Sequence, residues 1–266
     1  MTCHGKKILL FDLDDTVLGG GFEVYARFPD HFSVFLDSIS NAGWEWGINS
    51  AWDCKGQWWL AVHSGINKSR PSVLICRYGR EIYTVRDESP EKLEPYCSNM
   101  ESRLLEYAAN DLQPILNSLK EETELEQIKC FYKEENVVID FSDKVDILHS
   151  NSPTLKKIRN SELFTLLESE HSLKIRPHFC NKGTPIQALN TLLGYHPENI
   201  VCAGDAAPDL FMLNTPFAKH AIAPANAQDC IKNFLNLHNG TLGSKKYAAG
   251  VIDAFEKRFP NYSSKI

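Results

Sequence analysis

The sequence contains no apolar segment long enough to cross a membrane. Its longest uninterrupted apolar run, Trp58 to Val62, is far shorter than the roughly 20 residues that span a bilayer. The N-terminus also lacks the apolar stretch of a secretory signal, because Met1 to Lys7 leads directly into a short apolar run. We therefore expect neither a membrane span nor export.

Paired cysteines and excess positive charge are also absent. The eight cysteines include no Cys-x-x-Cys pair, and none has a histidine at zinc-finger spacing, so a local zinc site is not supported. Without an export signal, we expect reduced thiols and a cytoplasmic location. The net charge of −6, from 28 basic and 34 acidic residues, argues against a broad nucleic-acid-binding face.

What is present is an ordinary globular composition. Hydrophobic residues make up 43% of the chain and charged residues 23%, which excludes a disordered or fibrous protein. A chain of 266 residues is long enough for one large domain or two small ones, each with a core of its own.

Short apolar runs at the two ends of the chain predict buried parallel strands. Each gives way to a polar residue where a strand should stop: Ile8–Phe11, Trp44–Asn49 and Ile200–Ala203. Helical patterns over Pro29–Ser40 and Thr184–Leu193 alternate with them. The alternation predicts an α/β fold with a doubly wound, Rossmann-like parallel sheet, whose sites form at the carboxyl ends of its strands.

The middle of the chain predicts a smaller α+β domain inserted into this core. Its candidate elements follow the order β-α-β-β-α-β. They are Glu81–Val85, Met100–Leu125, Ile128–Tyr132, Val137–Phe141, Ser161–Ser169 and Ser172–Arg176. The predicted core is 1–79 and 178–266, and the predicted insert is 80–177.

The strongest local signal is Asp12-Leu13-Asp14-Asp15-Thr16, directly after the first strand. It could be a solvated turn, but carboxylates at the carboxyl end of a strand lie where α/β sheets bind ligands. Two carboxylates two positions apart can hold a hard cation, and they can also divide the roles of nucleophile and acid/base.

Three further polar positions follow strands or begin helices. Asp205 and Asp209 could favour a helix N-terminus through its dipole, or could supply more oxygen ligands to a cation. Lys182 directly precedes a helix, where the dipole disfavours a cation unless an anion compensates it. Ser50 after the second strand could equally be a turn residue or cap.

Together, in this order, these residues resemble the four motifs of the haloacid dehalogenase superfamily. The run Asp209-Leu210-Phe211-Met212-Leu213 is similar to the stretch after the acidic motif in Cof-type and sucrose-phosphate-phosphatase-like members. The run from Lys182 to Leu189 is similar to their lysine-glycine-led helix. An insert between the second and third motifs resembles the type-IIB cap of this superfamily.

The resemblance implies catalytic roles for four residues. Asp12 would attack phosphorus and form an aspartyl-phosphate, and Asp14 would be the general acid and base. Ser50 and Lys182 would bind and stabilise the transferring phosphoryl group.

The resemblance also implies Mg²⁺ as the cofactor. Its ligands would be Asp12, the main-chain carbonyl of Asp14, Asp205 and waters. Asp209 would belong to the same metal site by orienting a metal-bound water or Lys182.

The second motif departs from the pattern of these relatives. They usually have Thr-Gly-Arg where this chain has Ser50-Ala51-Trp52. The serine hydroxyl can replace that of threonine, but the arginine is missing and Trp52 stands in its place at the predicted site mouth. Pro208 stands where Asn is common, which changes the stiffness of the loop more than its charge.

The resemblance therefore implies a Mg²⁺-dependent phosphatase of a small phosphorylated metabolite, with a sugar phosphate as the leading class by analogy with these relatives. We expect a monomer or small homo-oligomer. A phosphotransferase or mutase on the same fold is one alternative. The other is a catalytically silent regulator that binds a phosphorylated ligand; it predicts the loss of Asp12, Asp14, Lys182 or Asp205, and all four are present.

Overall fold

The structure is a computed structural model that describes residues 5–19, 26–123, 129–133, 136–140, 152–168 and 172–262. The chain divides into two compact units. The first unit combines Met1–Tyr96 with Asn181–Ile266, and the second is Cys97–Cys180.

Strands and helices alternate along most of the described chain. The strands are β1 (Lys7–Phe11), β2 (Trp44–Asn49), β3 (Val73–Cys76), β4 (Glu81–Arg86), β5 (Ser89–Lys92), β6 (Lys129–Lys133), β7 (Asn136–Asp140), β8 (Phe164–Glu168), β9 (Ser172–Pro177), β10 (Ile200–Ala203), β11 (His220–Ala223) and β12 (Thr241–Leu242). The α-helices are α1 (Asp30–Asn41), α2 (Cys54–His63), α3 (Tyr96–Tyr107), α4 (Gln113–Thr123), α5 (Pro153–Arg159), α6 (Thr184–Leu193), α7 (Leu210–Leu213), α8 (Asp229–Leu237) and α9 (Tyr247–Arg258).

The first unit is built on a mainly parallel sheet. Its order among the described residues is β12-β11-β10-β1-β2-β3-β4-β5, with parallel pairing from β12 to β3. This confirms the predicted α/β fold with a parallel core. The register pairs Phe11 with Ala203 on one side and with Ile48 on the other, so β1, β10 and β2 end at the same edge.

Both faces of this sheet are covered, as a doubly wound fold requires. Alternate residues of β1 enter different cores: Leu9 and Phe11 join one buried cluster, and Ile8 and Leu10 join the other. In the first cluster, the ring centroids of Phe11 and Trp46 lie 6.0 Å apart. Burial on both faces explains why β1 is an unbroken apolar run.

The predicted placement of residues 81–85 in the inserted domain is wrong. This segment forms β4, which pairs antiparallel with β3 in the larger sheet. The cause is the turn between them, where Arg77, Tyr78 and Gly79 have φ angles of 52°, 57° and 82° and return the chain along β3. Such left-handed angles at Arg77 and Tyr78 are not evident from their residue types.

The second unit combines helices with an antiparallel sheet of order β6-β7-β9-β8. The two predicted strands Ile128–Tyr132 and Val137–Phe141 are confirmed by β6 and β7, which pair antiparallel with Lys133 opposite Asn136. The predicted helix at Ser161–Ser169 is wrong, because this segment contains β8, which pairs with β9. The unit therefore begins with helices instead of a strand, and the predicted order β-α-β-β-α-β is corrected. Residues 124, 125, 128, 141 and 169, at the ends of predicted elements, lie outside the described residues.

The apolar face of the small sheet packs against α4 and α5. Leu119, Leu155, Ile158 and Ile175 are at most 1% exposed in this cluster. The second unit thus has a core of its own. None of the helices described has the length and apolar character that spanning a bilayer requires.

Candidate active site

The site begins at the carboxyl end of β1. The backbone N–H of Asp12 donates to the carbonyl of Ala203 at 3.0 Å, which continues the pairing of β1 with β10 by one residue. The turn that follows is tight, with Asp15 at a φ of 57° and its N–H donating to the Leu18 carbonyl at 2.9 Å. Asp12 is buried as a result.

Lys182 reaches this carboxylate from the loop before α6. Its Nζ lies 2.7 Å from Asp12 Oδ1 and 2.5 Å from Asp209 Oδ1. Burial favours the neutral amine, but the two carboxylates outweigh this effect and raise the pKa of Lys182 above its ordinary value. The compensating anions expected for this lysine are thus side chains of the protein itself.

Side-chain amides hold the lysine loop in place. The Asn49 Nδ2 donates to the Lys182 carbonyl at 2.9 Å. Asn181 Oδ1 accepts from the N–H groups of Gly183 and Thr184 at 2.8 and 2.9 Å, and so satisfies the first donors of α6. These contacts fix the backbone from which Lys182 extends.

Asp209 closes the turn after β10. Its Oδ2 accepts from the N–H groups of Asp205 and Ala206 at 2.9 and 3.0 Å, while its Oδ1 pairs with Lys182. This fold-back requires glycine at 204, because a Cβ there would lie 2.4 Å from Asp209 Cβ. Both oxygens of Asp209 are therefore engaged by protein groups.

Asp205 is oriented from the opposite side. Thr16 Oγ1 donates to Asp205 Oδ1 at 2.5 Å, which links the turn after β1 to the turn after β10. Burial raises the pKa of Asp205 to about 6; the hydrogen bond from Thr16 opposes the rise, and the Asp209 charge adds to it.

The site carries more negative charge than its lysine balances. Ligand oxygens of three buried carboxylates, Asp12, Asp205 and Asp209, all lie within 4.8 Å of one another. Burial raises the pKa of Asp12 to about 7; Lys182 opposes the rise and Asp209 adds to it. A hard divalent cation fits such a set of oxygens and would supply the missing positive charge.

The remaining predicted residues lie at the end of β2. Ser50 is fully buried, and its N–H donates to the Ile75 carbonyl at 3.1 Å. The Trp52 N–H donates to Ser50 Oγ at 3.4 Å. The indole Nε1 of Trp52 donates to Asp14 Oδ2 at 2.8 Å, so the side chain of Asp14 is held by the residue that replaces the motif arginine.

The structure thus brings Asp12, Lys182, Asp205 and Asp209 into one cluster, and it turns the Asp14 carboxylate toward Trp52. Sequence reasoning gave no role to Thr16 or Asn49, nor to Asn181. Thr16 belongs to the Asp12–Thr16 string and Asn49 directly precedes Ser50, so position beside a motif was the available signal.

Comparison with known proteins places the chain among the haloacid dehalogenase-like phosphatases, which hydrolyse phosphoric monoesters. Residues 5–258 match the model of the sucrose-6F-phosphate phosphohydrolase family, and the chain belongs to that family. No curated protein matches the chain.

Solved structures share the fold at low sequence identity. The sucrose-phosphatase of Synechocystis sp. PCC6803, solved with sucrose and phosphate, is 16% identical, with a TM-score of 0.62 over 97% of this chain and 98% of that one. A haloacid dehalogenase-like hydrolase from Bacillus subtilis is 17% identical, with a TM-score of 0.63 over 96% and 92%. A phosphatase of this superfamily from Bacteroides thetaiotaomicron is 15% identical, with a TM-score of 0.57 over 98% and 96%.

Proposed function

We propose that this chain is a Mg²⁺-dependent phosphatase that hydrolyses a sugar phosphate through an aspartyl-phosphate on Asp12. The observation that carries the proposal is the buried contact of Lys182 Nζ with Asp12 Oδ1, at 2.7 Å, at the carboxyl end of β1. A carboxylate beside a buried cation can approach an anionic phosphoryl group with less repulsion than an isolated carboxylate.

In the first step, a carboxylate oxygen of Asp12 attacks phosphorus. The bond from phosphorus to the ester oxygen breaks, and Asp14 gives its proton to the leaving alkoxide. The products of this step are the free alcohol, an ionised Asp14 and a phosphorylated Asp12.

In the second step, Asp14 takes a proton from water, and the resulting oxygen nucleophile attacks the same phosphorus. The acyl-phosphate bond breaks, inorganic phosphate leaves, and Asp12 and Asp14 return to their starting states. Lys182 and the Ser50 hydroxyl stabilise the charge on the phosphoryl oxygens in both steps.

Asp12 and Asp205 would hold Mg²⁺, together with the main-chain carbonyl of Asp14. Asp209 would support the metal site indirectly, because its two oxygens already bind Lys182 and two backbone N–H groups. When bound there, Mg²⁺ would act as a Lewis acid that neutralises charge on the phosphoryl oxygens.

The substrate class is proposed from the family. The description of the matching family names a phosphorylated disaccharide as its substrate, and the structure of the Synechocystis relative was solved with sucrose and phosphate. Sucrose 6F-phosphate is therefore the first substrate to test. We also propose that Cys97–Cys180 acts as the cap that selects the leaving group.

Phosphate release should be measured from p-nitrophenyl phosphate, sucrose 6F-phosphate and a panel of hexose phosphates, with Mg²⁺ and with EDTA. We expect metal-dependent turnover by the wild-type protein and a kcat about 10⁴-fold lower for Asp12→Asn. Release of p-nitrophenol without inorganic phosphate, seen only when an acceptor alcohol is added, would favour the phosphotransferase or mutase. A folded protein that binds Mg²⁺ and phosphorylated ligands but releases no phosphate would favour the silent regulator.

A further inference from the structure

We propose that Trp52 is the positioning residue for Asp14, the general acid and base; this inference rests on the proposed phosphatase function. The observation behind it is the hydrogen bond from Trp52 Nε1 to Asp14 Oδ2, 2.8 Å long. It joins the turn after β1 to the loop after β2, two segments separated by 38 positions in sequence.

The backbone of Trp52 is fixed independently of this contact. Its carbonyl accepts from the N–H of Arg77 at 3.2 Å and from Gln57 Nε2 at 3.1 Å. The next residue, Asp53, caps α2 by accepting from the Gly56 N–H at 2.8 Å. The indole is therefore presented from an anchored loop.

The indole also lies tightly against the first turn of α2. A Cβ added at Gly56 would be 3.3 Å from Trp52 Cε3, so the absence of a side chain at 56 leaves the ring its place. Trp52 packs as well against the apolar cluster that contains Phe11 and Trp46. Ring packing and backbone contacts together limit the directions in which Nε1 can point.

The contact divides the two oxygens of Asp14 between two tasks. Oδ2 accepts from Trp52, while Oδ1 is shielded from solvent and has no hydrogen-bond partner in the described part of the chain. Oδ1 is thus the oxygen left to give and take the proton. An indole N–H donates only and carries no charge, so it sets the direction of the carboxylate without cancelling its charge.

The kinetic test compares Trp52→Phe with Trp58→Phe, a half-buried tryptophan of α2 that packs against the same apolar cluster. Two substrates of nearly the same shape separate the steps. Phenyl phosphate needs its leaving oxygen protonated, whereas p-nitrophenolate is a stable anion. We expect Trp52→Phe to lower kcat/KM for phenyl phosphate about tenfold or more, and for p-nitrophenyl phosphate less than about threefold.

Trp58→Phe should leave the ratio of the two kcat/KM values unchanged. An equal loss on both substrates in Trp52→Phe, or no loss, would overturn the inference, because packing alone does not distinguish leaving groups. In an Asp14→Asn background, Trp52→Phe should change kcat/KM for phenyl phosphate less than about threefold, whereas full additivity would contradict the coupling.

An NMR measurement that requires no turnover tests this inference separately from the proposed function. The indole N–H resonance of Trp52, identified by its loss in Trp52→Phe, should move upfield in Asp14→Ala when the carboxylate acceptor is removed. An unmoved resonance would overturn the inference. Failure of the wild-type protein to hydrolyse either aryl ester would count against the proposed function, while the resonance would still report the contact.

Discussion

The two sides of the site are built in different ways. The lysine side, formed by Asp12, Lys182, Asp205 and Asp209, is a buried network in which charged groups satisfy one another. The tryptophan side, formed by Asp14, Ser50 and Trp52, depends on one neutral donor and one carboxylate. Buried charges that lose a partner are strongly destabilising, whereas a neutral hydrogen bond contributes modestly, so the two sides should respond differently to substitution.

This difference assigns separate tasks to the two sides. In the proposed mechanism, the lysine side combines attack, charge stabilisation and the metal site, so we expect its residues to affect both activity and folding. In the same mechanism, the tryptophan side directs a proton and donates one hydrogen bond to the phosphoryl group through Ser50, and we expect it to contribute less to the stability of the fold. Four predictions test this division, from the largest expected effect to the smallest.

The largest effect is expected for Asp12→Asn. Loss of the nucleophile should lower kcat about 10⁴-fold on every substrate, whatever its leaving group. The matched control is Asp15→Asn. Asp15 is an exposed neighbour with a left-handed backbone conformation, and asparagine tolerates that conformation. Steady-state phosphate release checks both variants, and an Asp12→Asn protein with substantial activity would remove Asp12 as the nucleophile.

Asp209→Asn should affect both stability and activity. The amide can still accept from the N–H groups of Asp205 and Ala206, but Lys182 loses one of its two carboxylates. We expect a loss of about 3 kcal/mol in the free energy of unfolding and about 10²-fold in kcat. Denaturant titration should show Asp229→Asn, an exposed control, within about 0.5 kcal/mol of wild type. Equal stabilities for the two variants would contradict a buried network.

Ser50→Ala tests the tryptophan side with a smaller change. Removing its hydroxyl should lower kcat/KM about tenfold by taking one donor from the phosphoryl group. Ser33→Ala is the control, because Ser33 is also buried and donates to the Ser64 carbonyl at 2.6 Å in the apolar core. Thermal melts and kinetics should show Ser33→Ala less stable but fully active. A Ser50→Ala protein that is less stable but fully active would instead give Ser50 a role in folding.

The smallest effect is a pH dependence of stability without metal. Burial raises the pKa of Asp12 from 3.8 to about 7, so the folded state favours the protonated carboxyl and loses this stabilisation as the pH rises through about 7. Asp12→Asn cannot ionise. The Tm of Asp12→Asn minus that of wild type, measured in EDTA, should therefore increase from about pH 4 to about pH 7 and then level off.

Two further conditions sharpen this measurement. Above about pH 7, Mg²⁺ should raise the Tm of wild type more than that of Asp12→Asn, because Asp12→Asn lacks one of the proposed carboxylate ligands. Asp15→Asn should show no comparable trend with pH. A Tm difference between Asp12→Asn and wild type that stays constant across this range would contradict the electrostatic account of the site.

The parallel core could be predicted because its signals are local. The apolar runs that form β1, β2 and β10 are each followed by polar residues, and parallel pairing then brings those residues to one edge. The expected cluster of Asp12, Lys182 and the two later aspartates needs little more than this topology.

Two elements could not be predicted, because pairing partners decide them. Leu163, Phe164, Leu166 and Leu167 have helical spacing, yet in the structure Leu166 pairs with Ile175 across β8 and β9, and Leu163 is exposed. Short apolar runs are ambiguous between helix and strand. The strand β4 joined the larger sheet through a turn whose left-handed residues include Arg77 and Tyr78, which carry no sequence signal for that conformation.

The contact between Trp52 and Asp14 also could not be predicted from the sequence. The pattern showed only that tryptophan replaces the arginine of the second motif. Which oxygen receives the indole N–H depends on the turn after β1 and on the loop that follows β2. A residue that departs from a family pattern is thus best interpreted by what it touches.

The most direct test of the account is to trap the phosphorylated residue. The protein is quenched with acid during turnover of p-nitrophenyl phosphate with Mg²⁺, reduced with borohydride, and digested for mass spectrometry. Because an acyl-phosphate on an aspartate is reduced to homoserine, we expect homoserine at position 12 and none in protein quenched without substrate. Homoserine at position 14, or at neither position while phosphate is being released, would contradict Asp12 as the nucleophile.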